Sequence, residues 1–120
     1  MKEYFVISTT TDLLRIASES VIFISSDGNY SSLMLTNGES RLLTMQLGQI
    51  EKLISQQLPQ TSLNFIRIGK SLIINRTYIY YINIPKQQLV LADGNIAQHS
   101  LSASREALKQ LKELIEKGQK

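Results

Sequence analysis

Residues 65–82 read Phe-Ile-Arg-Ile-Gly-Lys-Ser-Leu-Ile-Ile-Asn-Arg-Thr-Tyr-Ile-Tyr-Tyr-Ile, and the reading of the whole chain turns on them. Phe65 to Ile68 is strand-like, residues 69–71 are a short break carrying a glycine and a cation, and residues 72–74 are an apolar run. A second break at 75–77 is followed by strand again over 78–82. Aliphatic, β-branched and aromatic residues dominate all three pieces, which is the chemistry of a pleated, half-buried surface. Lys70 and Ser71 sit between two buried-looking segments, so their side chains are pinned at the rim of a rigid core. A cation held there suits contact with a phosphate or a base.

Outward from this stretch, the pattern stays mostly β. Residues 4–8 make a first strand, Thr9 to Asp12 a turn, and residues 13–17 either a second strand or an irregular lead-in. Val21 to Ile24 is a short continuous apolar run expected to be buried on both faces, and residues 25–29, with Asp27-Gly28, read as a loop. Residues 30–35 continue as strand, with Tyr30, Ser32 and Met34 on one face and Ser31, Leu33 and Leu35 on the other. Asn37-Gly38 predicts a two-residue hairpin that pairs 30–36 with 39–45. Thr44 is placed to cap a helix whose stripe is Leu47, Ile50, Ile54 and Leu58, closed by Pro59, and residues 60–64 link it to the central stretch. Beyond that, 79–84 ends at Pro85-Lys86, and 88–92 is a strand turned by Asp93-Gly94 into 96–100. From Ser102, read as the cap, Leu108, Leu111, Leu114 and Ile115 describe an amphipathic helix ending near Gly118.

One hundred and twenty residues make a one-domain length, and an apolar fraction of 42% is ordinary for a globular protein. There is no long apolar run of the kind that spans a membrane and no apolar signal segment at the start, so a soluble cytoplasmic domain without membrane insertion is expected. Without cysteine there is neither a disulfide framework nor a thiolate metal site. The net charge of +3 leans toward an anionic partner without naming one. Arg105, Lys109, Lys112, Lys117 and Lys120 crowd the C-terminal segment, while Arg67, Lys70 and Arg76 lie centrally. The C-terminal set also reads as a solvated helix face, with Glu106, Glu113 and Glu116 interspersed.

Two motifs now stand together. The pattern Phe65-Ile66-Arg67-Ile68, Lys70-Ser71, Ile73-Ile74-Asn75 and then Tyr78-Ile79 resembles the second half of the LytTR-type DNA-binding domain of bacterial response regulators. Val21-Ile22-Phe23-Ile24-Ser25-Ser26-Asp27-Gly28-Asn29-Tyr30, with the strand and Asn-Gly turn after it, is similar to the first half. The two sit at the family's separation, and the likeness covers about residues 10–110 of the chain. It implies a mainly β fold: an elongated stack of short antiparallel β-sheets with a short central helix and a C-terminal helix, all in a single domain over 1–120. It also implies a sequence-specific regulator of transcription that inserts loop residues into the grooves of double-stranded DNA, as a homodimer of two copies on a repeated site. No cofactor is implied.

Carried over by motif position, the family's base and phosphate contacts fall on Asn29 and Tyr30, on Lys70 and Ser71, and on Ser104 and Arg105. Arginine can grip a guanine edge as a fork, lysine can contact it as a point charge, asparagine can pair with adenine, and serine hydroxyls can hold phosphates. Plainer readings stand beside these: Tyr30 as a ring at a sheet edge, Lys70 as a turn cation, and Arg105 as a cation on a helix surface. Arg67, within a strand, either faces DNA or lays its stem along the sheet. Where many members have histidine, this chain has Gly69, which offers no side chain to a base but lets backbone approach a phosphate closely. The receiver domain usual on the N-terminal side of members does not fit in this length. Signal input is thus expected from a separate sensor or regulatory protein, unless the chain is part of a longer one.

An enzyme is the remote possibility. His99 is the only histidine and has no neighbouring acidic motif that would build a triad or a metal set, so a surface histidine is expected. Asp27-Gly28-Asn29 lacks the repeated acidic ligands of a calcium loop, and no glycine-rich phosphate loop leads from a strand into a helix. The rival to the regulator is a module that no longer binds DNA and docks its basic C-terminal helix on a partner such as a sensor.

Overall fold

The computed structural model describes residues 2–94 and 97–118, and the chain divides into two compact units, Met1–Arg76 and Thr77–Lys120. Among the described residues there are three sheets, all antiparallel, and two α-helices. The mainly β reading holds, with a central and a C-terminal helix.

In the first unit, β1 (Tyr4–Ser8) and β2 (Leu13–Ala17) form a hairpin of their own, so the segment after the first turn is a strand. Thr9 makes the turn: its hydroxyl oxygen accepts the N–H groups of Thr11 and Asp12. A second sheet has the order β5-β4-β3-β7-β6, from β3 (Val21–Asp27), β4 (Tyr30–Leu35), β5 (Ser40–Leu43), β6 (Phe65–Ile68) and β7 (Leu72–Asn75). The apolar run Val21 to Ile24 is buried throughout because β3 is the middle strand. On β4 the alternation is as predicted: Ser31, Leu33 and Leu35 are buried and Tyr30 is exposed.

The helix α1 (Leu47–Gln57) lays Leu47, Ile50 and Ile54, with Leu58 just beyond it, into a core shared with Phe5, Ile24, Leu33 and Ile73. Ile50 is fully buried, and truncating it to alanine costs about 2–5 kcal/mol by the usual measure of such cavities. Pro59 follows the helix, as expected. Its start does not match: α1 is capped at Gln46, two residues past Thr44, and the Gln46 N–H donates to Gln49 Oε1 at 2.9 Å. After α1, a 3-10 turn at Ser62–Asn64 leads into β6. Glu3 holds this connection down, since its carboxylate accepts the Thr61 hydroxyl at 2.7 Å and the N–H groups of Thr61 and Gln60. Burial alone would raise the Glu3 pKa, but the bonds from Thr61 and Gln60 outweigh it and hold the carboxyl below its ordinary value.

Two turns differ from expectation. The segment 25–29 is not a loop, because β3 runs to Asp27 and pairs it with Tyr30, leaving only Gly28-Asn29 to turn the chain. Gly28 sits at φ +68°, the left-handed region this tight hairpin needs at its first position. Asn37-Gly38 does make a hairpin, but with three residues in the loop: the Leu35 N–H donates to the Glu39 carbonyl at 2.9 Å. One more anchor is buried, the Asn75 side chain, whose Nδ2 donates to the Val21 carbonyl at 3.0 Å and ties the end of β7 to the start of β3.

The break after Asn75 is a 3-10 turn, Arg76–Tyr78. In the second unit, β8 (Ile79–Asn83), β9 (Gln88–Ala92) and β10 (Gln98–Ser102) form a sheet in the order β10-β9-β8. The predicted strand 96–100 therefore lies two residues later, and Ile96 is outside the described residues. The helix α2 (Arg105–Gly118) buries Leu108 and Leu111, while Leu89 and Leu91 of β9 are fully buried. His99, expected at the surface, is half-buried on β10 opposite Leu91. Ser102 ends β10, and the cap of α2 is Ser104, whose Oγ accepts the Ala107 N–H at 3.1 Å.

Candidate nucleic-acid interface

The residues singled out by motif fall into one set on each unit. On the first unit the pairing of β3 with β7 decides the geometry. The two strands are antiparallel with Ser25 opposite Leu72, so the end of β3 lies beside the start of β7. The Ser26 N–H donates to the Ser71 carbonyl at 2.8 Å, one step beyond the last paired residues. The turn at Gly28-Asn29 and the turn at residues 69–71 therefore emerge at the same end of the five-stranded sheet. Sequence places Asn29 and Lys70 far apart; the sheet brings their turns together.

The α1 N-terminus joins them. The Ser31 hydroxyl, fully buried on β4, donates to the Met45 carbonyl at 2.7 Å and fixes the chain just before the helix. Gln46 then reaches Asn29, its Nε2 donating to Asn29 Oδ1 at 3.3 Å. Asn29, Gln46, Lys70 and Ser71 are all exposed, and Tyr30, at 46% exposure, opens β4 beside them. A paired amide, a lysine and a serine on short turns of a rigid sheet can offer donors and acceptors to a base edge and a cation to a phosphate.

Arg67 behaves differently from its neighbours. Its guanidinium donates from Nε to the Gly69 carbonyl at 3.0 Å, from Nη2 to the Lys70 carbonyl at 3.0 Å, and from Nη1 to the Glu51 carboxylate at 2.9 Å. The side chain is only 30% exposed. Gly69 itself lies at φ +61°, and a Cβ added there would meet nothing within 4 Å. The requirement for glycine at this site is thus the left-handed turn and not crowding by neighbouring atoms.

On the second unit, Ser104 and Arg105 open α2 and both are exposed. Arg105 Nη2 donates to the carbonyl of Pro85, in the turn between β8 and β9, at 3.2 Å. A cation in the first turn of a helix opposes the helix dipole, so this position does not favour the fold. The same end of the helix, with its free N–H groups, favours an anion.

Sequence reasoning missed Gln46 and Glu51. With the cap assigned to Thr44, Gln46 read as an ordinary residue inside the helix; a cap two residues later would have put it at the sheet end. Glu51 carried no local signal, since its partner Arg67 is supplied by the fold. A cavity of about 590 Å³ in the first unit lies between the β1–β2 turn and residues 41–45. Among the described residues no cluster of His, Asp and Glu side chains could hold a metal ion. Among the described residues, no helix is long and apolar enough to cross a membrane.

Comparison with known proteins gives two findings. The LytTr DNA-binding domain family matches residues 11–116, across both units. Among solved structures, the LytTr DNA-binding domain of a Bacillus cereus protein described as a methyl-accepting/DNA response regulator superposes with a TM-score of 0.64. It is 18% identical, with 96% of this chain and 98% of that chain covered, which speaks for a shared fold. No curated protein matches.

Proposed function

The chain belongs to the LytTR DNA-binding domain family, a non-catalytic family of transcriptional regulation, and on that premise we propose how it reads DNA. The turns carrying Asn29 and Tyr30 and carrying Lys70 and Ser71 enter a groove of duplex DNA. Ser104 and Arg105 make a second contact through the start of α2. The observation that carries this reading is the Ser26–Ser71 hydrogen bond, which sets the two turns side by side at one sheet end.

The roles follow from chemistry. Lys70 and Arg105 supply charge and can contact guanine, while Asn29, with Gln46 against its carbonyl oxygen, keeps its amide N–H groups for acceptors on DNA. Ser71, Ser104 and the free N–H groups of α2 bind phosphate and fix register. Gly69 removes the side chain that many members present at this point, so the base preference of this chain differs from theirs. Two copies on a repeated site raise the modest affinity of one small module through effective concentration.

Selection from a pool of random duplexes at near-physiological salt tests the reading. A repeated enriched motif supports both the base contacts and the paired copies. Retention of duplex without enrichment would reduce the surface to a basic one, and docking on a partner protein would become the better account.

A further inference from the structure

Arg67 was a candidate for direct contact with DNA, but three of its five N–H donors are already engaged by the protein. We propose that Arg67 and Glu51 are positioning residues: together they lock the Gly69–Ser71 turn against α1 and hold Lys70 in its reading position. This rests on the DNA-binding reading above.

The geometry supports the role in three ways. Arg67 leaves β6 and returns over the turn that directly follows that strand, so its fork closes the turn by its two carbonyls, Gly69 and Lys70. The turn carries its glycine at a positive φ, a conformation with little steric restraint of its own, and these are its carbonyls. Glu51, on α1, then takes the third edge of the guanidinium and joins the turn to the helix whose start carries Gln46. Only arginine has a planar set of donors able to serve two carbonyls and a carboxylate at once; lysine keeps the charge and loses the fork.

The Glu51 end yields a prediction of unusual sign. If Glu51 were a bystander, Glu51→Ala would remove a negative charge near DNA and strengthen binding to every duplex alike. As the anchor of Arg67, the same change releases the turn and lowers the preference for the selected site.

The experiment compares wild type, Arg67→Lys and Glu51→Ala. It measures the ratio of affinities for the selected duplex and a scrambled one, the dependence of affinity on salt, and amide exchange at Ser26 in the free protein. Each variant is expected to cut the affinity ratio by about tenfold, on the order of one base contact, with the salt dependence unchanged. Ser26 exchange, protected by the Ser71 carbonyl in wild type, should speed up in both variants at an unchanged thermal midpoint. An unchanged ratio in either Glu51→Ala or Arg67→Lys would overturn the proposal. If wild type itself shows no preference, the DNA-reading proposal fails, and Ser26 exchange still judges the lock. Unchanged exchange in both variants would dispose of it independently.

Discussion

Gln57, the last residue of α1, meets Val6 in the middle of β1 with both halves of its side-chain amide. Its Oε1 accepts the Val6 N–H at 2.7 Å and its Nε2 donates to the Val6 carbonyl at 2.9 Å. That is the donor and acceptor pair a neighbouring strand would supply, offered here by a helix. The contact both seats the helix and covers part of an open strand edge.

Gln57→Ala leaves two part-buried backbone groups without partners and should destabilise the protein by about 1–3 kcal/mol, read as a lower midpoint in urea. Gln57→Leu, which restores bulk but not the hydrogen bonds, should do no better. A shift within experimental error for both would mean that water replaces the amide without cost.

Glu3 gives the protein an acid-sensitive contact. Its folded pKa is held below the ordinary carboxyl value by the bonds from Thr61 and Gln60, so its stabilising effect is fully present above the unfolded pKa. It is lost as pH falls through the lowered folded value. Thermal melts of wild type should therefore weaken through that acid range, and Glu3→Gln should lower the midpoint at neutral pH while showing a shallower acid decline. Parallel pH curves for the two proteins would rule the contact out as the source.

Strands were the most legible part of the chain, because runs such as Val21 to Ile24 and Phe65 to Ile68 announce burial by composition alone. The helix stripe Leu47, Ile50, Ile54 and Leu58 was equally plain. Capping was not, since Thr44 and Ser102 are better caps in isolation than Gln46 and good rivals to Ser104. Ser102 is taken up as the last residue of β10, and at the other helix the Ser31 hydroxyl holds the Met45 carbonyl, so each helix begins later. The turn at Gly28-Asn29 was overestimated for a related reason. Ser25 and Ser26 look like loop residues, yet β3 has partners on both sides and draws them into strand. Of the site, the motif picked out Lys70 and Asn29, but the Arg67–Glu51 pair depends on a contact between a strand and a helix that no local pattern encodes.

Gly69→His tests what the missing side chain does. The Cβ would meet open space, so the cost is that of placing a branched backbone at φ +61°, about 1 kcal/mol. The variant should fold, melt slightly earlier, and enrich a different motif from a random duplex pool. An identical motif would show that position 69 does not face the bases.

Lys70 and Arg105 should separate by the kind of loss they produce. Lys70→Ala should lower both the preference for the selected site and the slope of log affinity against log salt, the slope by about one. Arg105→Ala should relax the preference at one base pair, at a cost of about 1–3 kcal/mol. Unaltered preference at every position in the second variant would remove Arg105 from base reading and leave it as the partner of the Pro85 carbonyl.

The bond from Ser26 to the Ser71 carbonyl also sets a timetable. The hairpins β3–β4 and β6–β7 join residues close in the chain and can form early, whereas pairing β3 with β7 must close a loop containing all of α1. The ability to recognise DNA then arrives with that late closure and not with either hairpin. In refolding followed by capture on labelled duplex, capture should trail the formation of β structure.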